Sequence, residues 1–420
     1  MRVLTLVLTS ALVAASAAAQ LTMGNAPAPP NPGDATGGVA GTAVDLSHPA
    51  NATGTIDHVA FSWSQAGCSA AAKIKVFRRV GDTFSLVAER GPYAIADEPT
   101  EISLSPAIPV LQGDLVGVAP VGECGTPVAI IRVIPASYIE IAGDATSFSY
   151  SDSAVRYGSL MVQATGTATE VVAGVLTSVA SNLGRNGSNY HTLVQMLAPS
   201  DLTGRFVFHA KGIPGGPDDP SMPFSIVGGR MQSWPDILEA MQVSGQPGSI
   251  DVVVPWNHGS PRIVAHIYTD QSGGGTNGFS EEMVKTPWQN CGVCPTVGGP
   301  IFYTDFLGFI VGPADATRYR ANIAVRSLDG GVSGRVRAFH ADGTLAGPEV
   351  AFRYGPNTWD QKSWEEFTGV APEDGDYVEV VISAGSAIFA GSIIDNITND
   401  PVCLLGRGGP LQGPTGAGSW

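Results

Sequence analysis

Gly334-Arg335-Val336-Arg337-Ala338-Phe339-His340-Ala341-Asp342-Gly343 has an earlier copy in the same chain, Gly204-Arg205-Phe206-Val207-Phe208-His209-Ala210-Lys211-Gly212. Both copies alternate core-facing and solvent-facing residues and then break at a glycine, the pattern of a strand with one buried face. After each comes a Trp-bearing turn, Ser233-Trp234-Pro235-Asp236 and Ser363-Trp364-Glu365-Glu366. An apolar strand follows, Ile250–Val254 and Tyr377–Val381, and then a strand ending on an acid, Ile263–Asp270 and Ile388–Asp395. The offset drifts from 131 residues at the His pair to 125 at the terminal Asp. A slow drift over four landmarks is what a duplicated module with loop insertions gives.

The remaining composition agrees with a β-rich chain. Among 420 residues there are 53 Gly and 31 Pro, with no collagen period, and the remainder is rich in Val, Ile, Thr, Ser and Phe. That mixture suits short strands joined by tight turns. The net charge is −15, and only 14% of residues are charged. Nucleic-acid binders need basic patches to displace phosphate counterions, so a nucleic-acid partner is not expected. An anionic membrane is disfavoured for the same reason.

Residues 1–19 read as a signal peptide: Arg2, an apolar run from Val3 to Ala15, and Ala17-Ala18-Ala19 as a cleavage site. Cleavage near Ala19 would deliver a secreted protein, extracellular or at the cell surface, and no later stretch is apolar enough for membrane insertion. In that oxidising compartment Cys68 and Cys124 are expected to pair, and Cys291 and Cys294 to staple a loop locally, leaving Cys403 over. The CxxC spacing has no second Cys or His pair to make a zinc site.

In chain order the expected parts are an extended Pro/Gly-rich lead-in (20–43), an N-terminal β-sandwich (44–168), a second sandwich (178–280), a linker with the CxxC loop (281–302), a third sandwich (303–402) and a flexible tail (403–420). The first module carries a hairpin signal, Lys73–Arg79 turned by Gly81-Asp82 and returned by Phe84–Ala88. Its apolar strand, Gly113-Asp114, and glycine-containing apolar strand Leu115–Val118 resemble a secreted bacterial jelly-roll-like module. Residues 180–402 resemble the repeat modules of secreted bacterial, often multi-domain, cell-surface proteins. The resemblance rests on Gly-Arg-x-x-x-x-His, a turn with Trp or Phe, and the closing strand with Asp395-Asn396-Ile397-Thr398-Asn399-Asp400. It implies antiparallel β-sandwiches, jelly-roll or Ig-like, and a non-catalytic role. The second module departs from the pattern at its end, where Gln271–Gly275 replaces the Asn-rich turn. One helix is expected, at Pro235–Met241 with Ser233 as cap.

The known catalytic motifs are absent. The chain has no G-x-S-x-G, no H-E-x-x-H, no Walker loop and no G-x-G-x-x-G in a βαβ setting. His209 and His340, at matching repeat positions, are expected to pack a ring and bond a backbone carbonyl. A metal on His191, His209 and His266 would require their strands to be neighbours. Glu281-Glu282 and Glu365-Glu366 are expected on solvated faces, since adjacent residues of a strand point opposite ways. Asp395, Asn396, Asn399 and Asp400 gather four oxygen-bearing side chains in six residues, a candidate calcium site; the competing reading is a plain Asx turn. Trp234, Trp256, Trp359 and Trp364 are candidates for stacking on sugars, the competing reading being apolar plugs at sandwich ends. No other cofactor is implied. The expected function is that of a secreted, non-catalytic structural, adhesive or surface-interaction protein whose partners are cell-surface or extracellular macromolecules, glycans among them. The alternative is a carbohydrate-binding protein stabilised by calcium, and third comes a hydrolase with an unrecognised site.

Overall fold

Val162–Ala180 is a single strand of 19 residues, and two sandwiches are built on it. Its first half pairs with Thr53–Phe61 and Gln20–Gly24, its second half with Pro247–Pro255 and Val284–Lys285. The computed structural model describes residues 20–27, 41–62, 71–80, 82–94, 100–122, 128–129, 137–150, 153–184, 187–256, 261–270, 275–286, 301–303 and 306–410. The signal peptide and Cys68, Cys124, Cys291 and Cys294 lie outside the described residues.

The fold is all-β, with antiparallel sheets stacked as sandwiches. The first unit packs the Val162 half of the shared sheet on a seven-stranded sheet that includes Gly41–Asp45, Ala71–Val80 and Leu115–Val121. The border expected between residues 168 and 178 therefore falls inside one continuous strand. Of the expected lead-in, the described ends form strands, Gln20–Gly24 and the start of Gly41–Asp45. Leu21 and Met23 alternate with polar neighbours and are buried in the first core beside Ile56, Phe61 and Val116.

The second and third units share one pairing scheme. In the second, Asn189–Leu197 pairs with Arg262–Asp270, and Leu202–Ala210 with Pro247–Pro255. In the third, the corresponding segments are fused into two long bent strands, Tyr319–Phe339 and Tyr377–Asp395. Tyr319–Ser327 pairs with Ala387–Asp395, and Val332–Phe339 with Tyr377–Gly385. The flanking strands match as well. Ser221–Ile226 lies beside Leu202–Val207 as Val350–Tyr354 lies beside Val332–Val336. Met231–Trp234 lies beside Val194–Leu197 as Trp359–Ser363 lies beside Asn322–Arg326. A short helix follows in each, Ile237–Ala240 and Trp364–Thr368. The first is capped by Asp236, whose side chain accepts from the Leu238 and Glu239 N–H groups, and not by Ser233 as expected. The second carries a capping box between Ser363 and Glu366.

The bend of the third unit depends on glycine. Gly331 and Gly385 have φ of 72° and 80°, and a Cβ on Gly385 would sit 2.0 Å from the Gly331 carbonyl oxygen. Gly385→Ala should therefore cost about 1–3 kcal/mol, checked by urea unfolding. Stability equal to the parent would show that the bend tolerates a side chain. Of the tail expected to be flexible over 403–420, the described part up to residue 410 forms Pro401–Leu405 and Arg407–Pro410, which pair with Tyr377–Asp395 and Phe306–Val311, and the rest lies outside the described residues. The interval read as a linker likewise begins and ends in strands, Thr276–Glu282, Val284–Lys285 and Ile301–Tyr303.

The first and third units also touch. Arg79 Nη1 donates to the Gly330 carbonyl at 2.8 Å, and Arg353 pairs with Asp82 at 2.5 Å. Both guanidinium groups lie over the Tyr150 ring, Arg79 at 4.7 Å and Arg353 at 3.9 Å from its centroid. Burial, together with the charge of Arg353, pulls Arg79 down to about 10.

Candidate functional site

The chemistry of the molecule gathers where the second unit meets the third. His209 ends the strand of the first repeat copy, and its side chain is buried, only 4% exposed. Its Nδ1 lies 2.7 Å from Asp219 Oδ2 and its Nε2 lies 2.9 Å from Asp251 Oδ2. Asp251 Oδ1 accepts from Arg326 Nη2 of the third unit at 2.6 Å, and Arg326 Nη1 donates to Asn357 Oδ1 at 3.1 Å. A neutral imidazole has one N–H, so two carboxylate partners call for the imidazolium. The cluster then holds two cations and two anions in register. Burial works against charging His209, but the Asp251 charge and the hydrogen bonds to both carboxylates leave it above its ordinary value. Burial also opposes the Asp251 carboxylate, yet Arg326 and His209 hold it down at about 2. His209 thus bonds carboxylates and not the backbone carbonyl expected of it. Its repeat partner His340 is one-third exposed and reaches Asp376 at 3.1 Å.

The same junction buries Trp359, whose indole N–H donates to the Thr177 carbonyl of the long shared strand at 2.6 Å. Two backbone bonds reinforce it, from Gly212 N to the Trp359 carbonyl and from Gly215 N to the Pro356 carbonyl. Val175, Val284, Ile301, Leu328 and Ile388 form an apolar seam across the interface.

Glu281 was expected on a solvated face; the structure buries it. Its oxygens accept from Thr177 Oγ1 at 2.7 Å and from the Ser178 N–H at 3.1 Å. Burial pushes its carboxyl up to about 7 against those hydrogen bonds. The neighbouring Cys403 thiol is pushed up to about 12, by burial first and then by the Glu281 charge. Cys403 is free.

The signs follow from linkage. Glu281 has a folded value above its ordinary 4.5, so its contribution is whole below 4.5 and lost as pH rises through about 7. His209 is raised above 6.5, so its contribution is whole below 6.5 and lost as pH climbs past that. Both make the junction weaken with rising pH. In Glu281→Gln the first of these losses disappears. Relative to the parent, that variant should gain about 2–3 kcal/mol between about pH 5 and about pH 8. Urea unfolding at the two pH values checks it, and a pH-independent difference would show that Glu281 does not titrate in that range.

A cleft of about 280 Å³ opens beside this seam, lined by Asn182, Tyr190 and Phe279 from the second unit and by Arg320, Asn322, Gln361, Ser392 and Cys403 from the third. A second cavity of about 190 Å³ lies where all three units meet, lined by Arg78, Asp114, Arg205, His209, Asp219 and Asn357 among others. Two of its arginines are already paired with carboxylates. Arg78 is bidentate on Asp114 at 2.8 Å, and Arg205 grips Glu170.

The sequence candidates are placed as follows. Asp395 accepts from the Ile397 and Thr398 N–H groups and from Arg318. Asn396 and Asn399 accept from Arg320 at 3.1 and 3.0 Å. Two guanidinium groups thus bond oxygens of three of the four residues proposed for calcium. That is the Asx-turn reading with arginines added, and Asp400 is exposed at its end. Among the described residues no group of three or more His, Cys, Asp or Glu is arranged to hold a metal ion. His191 bonds Asp236 and His266 bonds Ser280, both flanking the Tyr268 ring, while His209 sits apart from them in another sheet. Trp359 and Trp364 are each 1% exposed and cannot stack on a ligand. Trp234 stands edge-on to Phe206 in the second core, and Trp256 packs against the first and second cores together. Trp359 and Trp364 are thus plugs, while Trp234 and Trp256 are half-buried and pack on the cores with one side. Sequence reasoning missed Arg326, Asp251 and Asp219, and it placed Glu281 on the wrong face. The one available signal was the charged residue set inside the apolar runs Ile250–Val254 and Asn322–Leu328.

No protein-family model matches the chain, and no curated protein matches it. Among solved structures the chain is similar to a Streptomyces avermitilis α-L-rhamnosidase complexed with L-rhamnose, at 10% identity and a TM-score of 0.16. The alignment covers 90% of this chain and 46% of that one, so the chain spans less than half the rhamnosidase's length. A likeness of that size carries no argument about fold or activity.

Proposed function

We propose that the chain is a secreted contact protein, a rigid three-unit β scaffold that presents its surfaces to macromolecules outside the cell. The observation that carries this reading is the buried Asp219–His209–Asp251–Arg326 cluster, which ties the second unit to the third. In this reading the charged groups of the junction pair with one another and fix geometry. Hinged enzymes need the opposite, domains free to close on substrate. The shared strand Val162–Ala180 supports the same view for the first two units.

The test has two parts. Expressed with residues 1–19 in a secreting host, the chain should appear outside the cell with a mass that lacks those residues. Added to cells of its source, it should be retained on their surface and cross-link there. Retention in the cytoplasm at full mass would overturn the reading. So would turnover of a polysaccharide or ester that is abolished by His209→Asn or Glu281→Gln.

A further inference from the structure

We infer that the cleft between the second and third units is a saccharide-binding site. The inference deepens the contact reading and rests on it. In a β-strand alternate residues share a face, so Arg320 and Asn322 point the same way. Asn322 lies directly across from Ser392 on the neighbouring strand, and Gln361, one strand further out, reaches the same hydroxyl across Tyr319–Phe339. The amide nitrogens of Asn322 and Gln361 each stand 3.4 Å from Ser392 Oγ. Bonds of that length are weak. A primary amide has two donors and two acceptor lone pairs. The third-unit side of the cleft is therefore a patch of half-buried amide and hydroxyl groups with most of their hydrogen-bonding capacity unused by these bonds.

The second unit supplies the complement. Tyr190 and Phe279 are both half-buried and both line the cleft. Asn182 lines it too; its Nδ2 donates to the Leu183 carbonyl, while its Oδ1 is shielded from solvent and accepts no hydrogen bond among the described residues. A shielded acceptor without a donor is costly, and a ligand hydroxyl would relieve it.

Three features select the ligand class. In-plane amides and a hydroxyl pair with vicinal hydroxyl groups, each of which donates and accepts. Aromatic faces suit the C–H face of a sugar ring. No carboxylate is among the residues lining the cleft, so nothing there favours a cationic ligand. A purely aliphatic ligand would leave the amides and Asn182 unpaired, a penalty that a polyhydroxylated one avoids. The volume, about 280 Å³, is at the small end of ligand sites and fits roughly one or two sugar rings.

The test is calorimetric titration of the purified chain with neutral oligosaccharides and, in a separate arm, uronic-acid oligosaccharides. At least one arm should show saturable binding. In that arm Asn322→Ala and Phe279→Ala should each weaken binding about tenfold or more, with thermal unfolding run on both variants to confirm that they fold. Should Phe279→Ala fail to fold, Gln361→Ala takes its place. The inference is overturned if neither arm binds at millimolar concentration, if a bound saccharide is held equally by parent and variants, or if only an aliphatic detergent binds. Failure here with retention on the cell surface intact would remove the cleft as the contact site and leave the contact reading standing.

Discussion

Arg326→Met should lower the unfolding free energy by about 3–5 kcal/mol, because it strands Asp251 in a buried site. Arg326 is 2% exposed and Asp251 4%. In the parent, Asp251 is held by Arg326 on one oxygen and His209 on the other. With the guanidinium gone, two carboxylates share a single imidazolium, and one of them must take up a proton or draw in water. Methionine keeps most of the side-chain volume, so the loss reports charge and not a cavity. Asp251→Asn in the Arg326→Met background should recover part of it, since the amide oxygen still accepts from His209. Equilibrium urea unfolding of the parent, the single variant and the double variant measures this directly. A single variant within about 1 kcal/mol of the parent would mean that the pair does not hold the junction.

Trp359→Ala should cost a similar amount, about 3–5 kcal/mol. The ring is 1% exposed, packs with Ala324 and Ala390, and its N–H bonds the Thr177 carbonyl across the junction. Trp359→Phe separates the contributions. It keeps much of the apolar contact and loses the hydrogen bond, and should cost about 1–3 kcal/mol. Urea unfolding again gives the comparison, and an alanine variant as stable as the parent would show that the ring is dispensable.

The two expectations concern residues that the sequence made hard to read, for one physical reason. The duplication was legible because alternation in Gly204–Gly212 and Gly334–Gly343 depends only on a local period. Trp359 was not, because its burial is set by Thr177, which lies 182 residues away. A tryptophan beside a turn has the same local signature whether it faces water or a neighbouring unit. Glu281 failed similarly. The rule that adjacent acids face solvent holds for an isolated sheet, and here the far face of that sheet meets Pro401–Leu405. The start of the lead-in was hard to read because Pro and Gly after Met23 hid a short strand, Gln20–Gly24, whose partner among the described residues is the distant Gln163–Thr167. The candidate calcium turn shows the converse. Its Asx chemistry was plain in the sequence, while the cations that fill it, Arg318 and Arg320, come from the other end of the unit.

The strand Val162–Ala180 has a mechanical consequence. A pull between the first unit and the second does not extend a tether, since none separates them. It is carried along one backbone whose two halves are each flanked by paired strands, so the hydrogen bonds resist together as a row and do not open one at a time. A protein joined this way passes tension from one sandwich to the next without stretching.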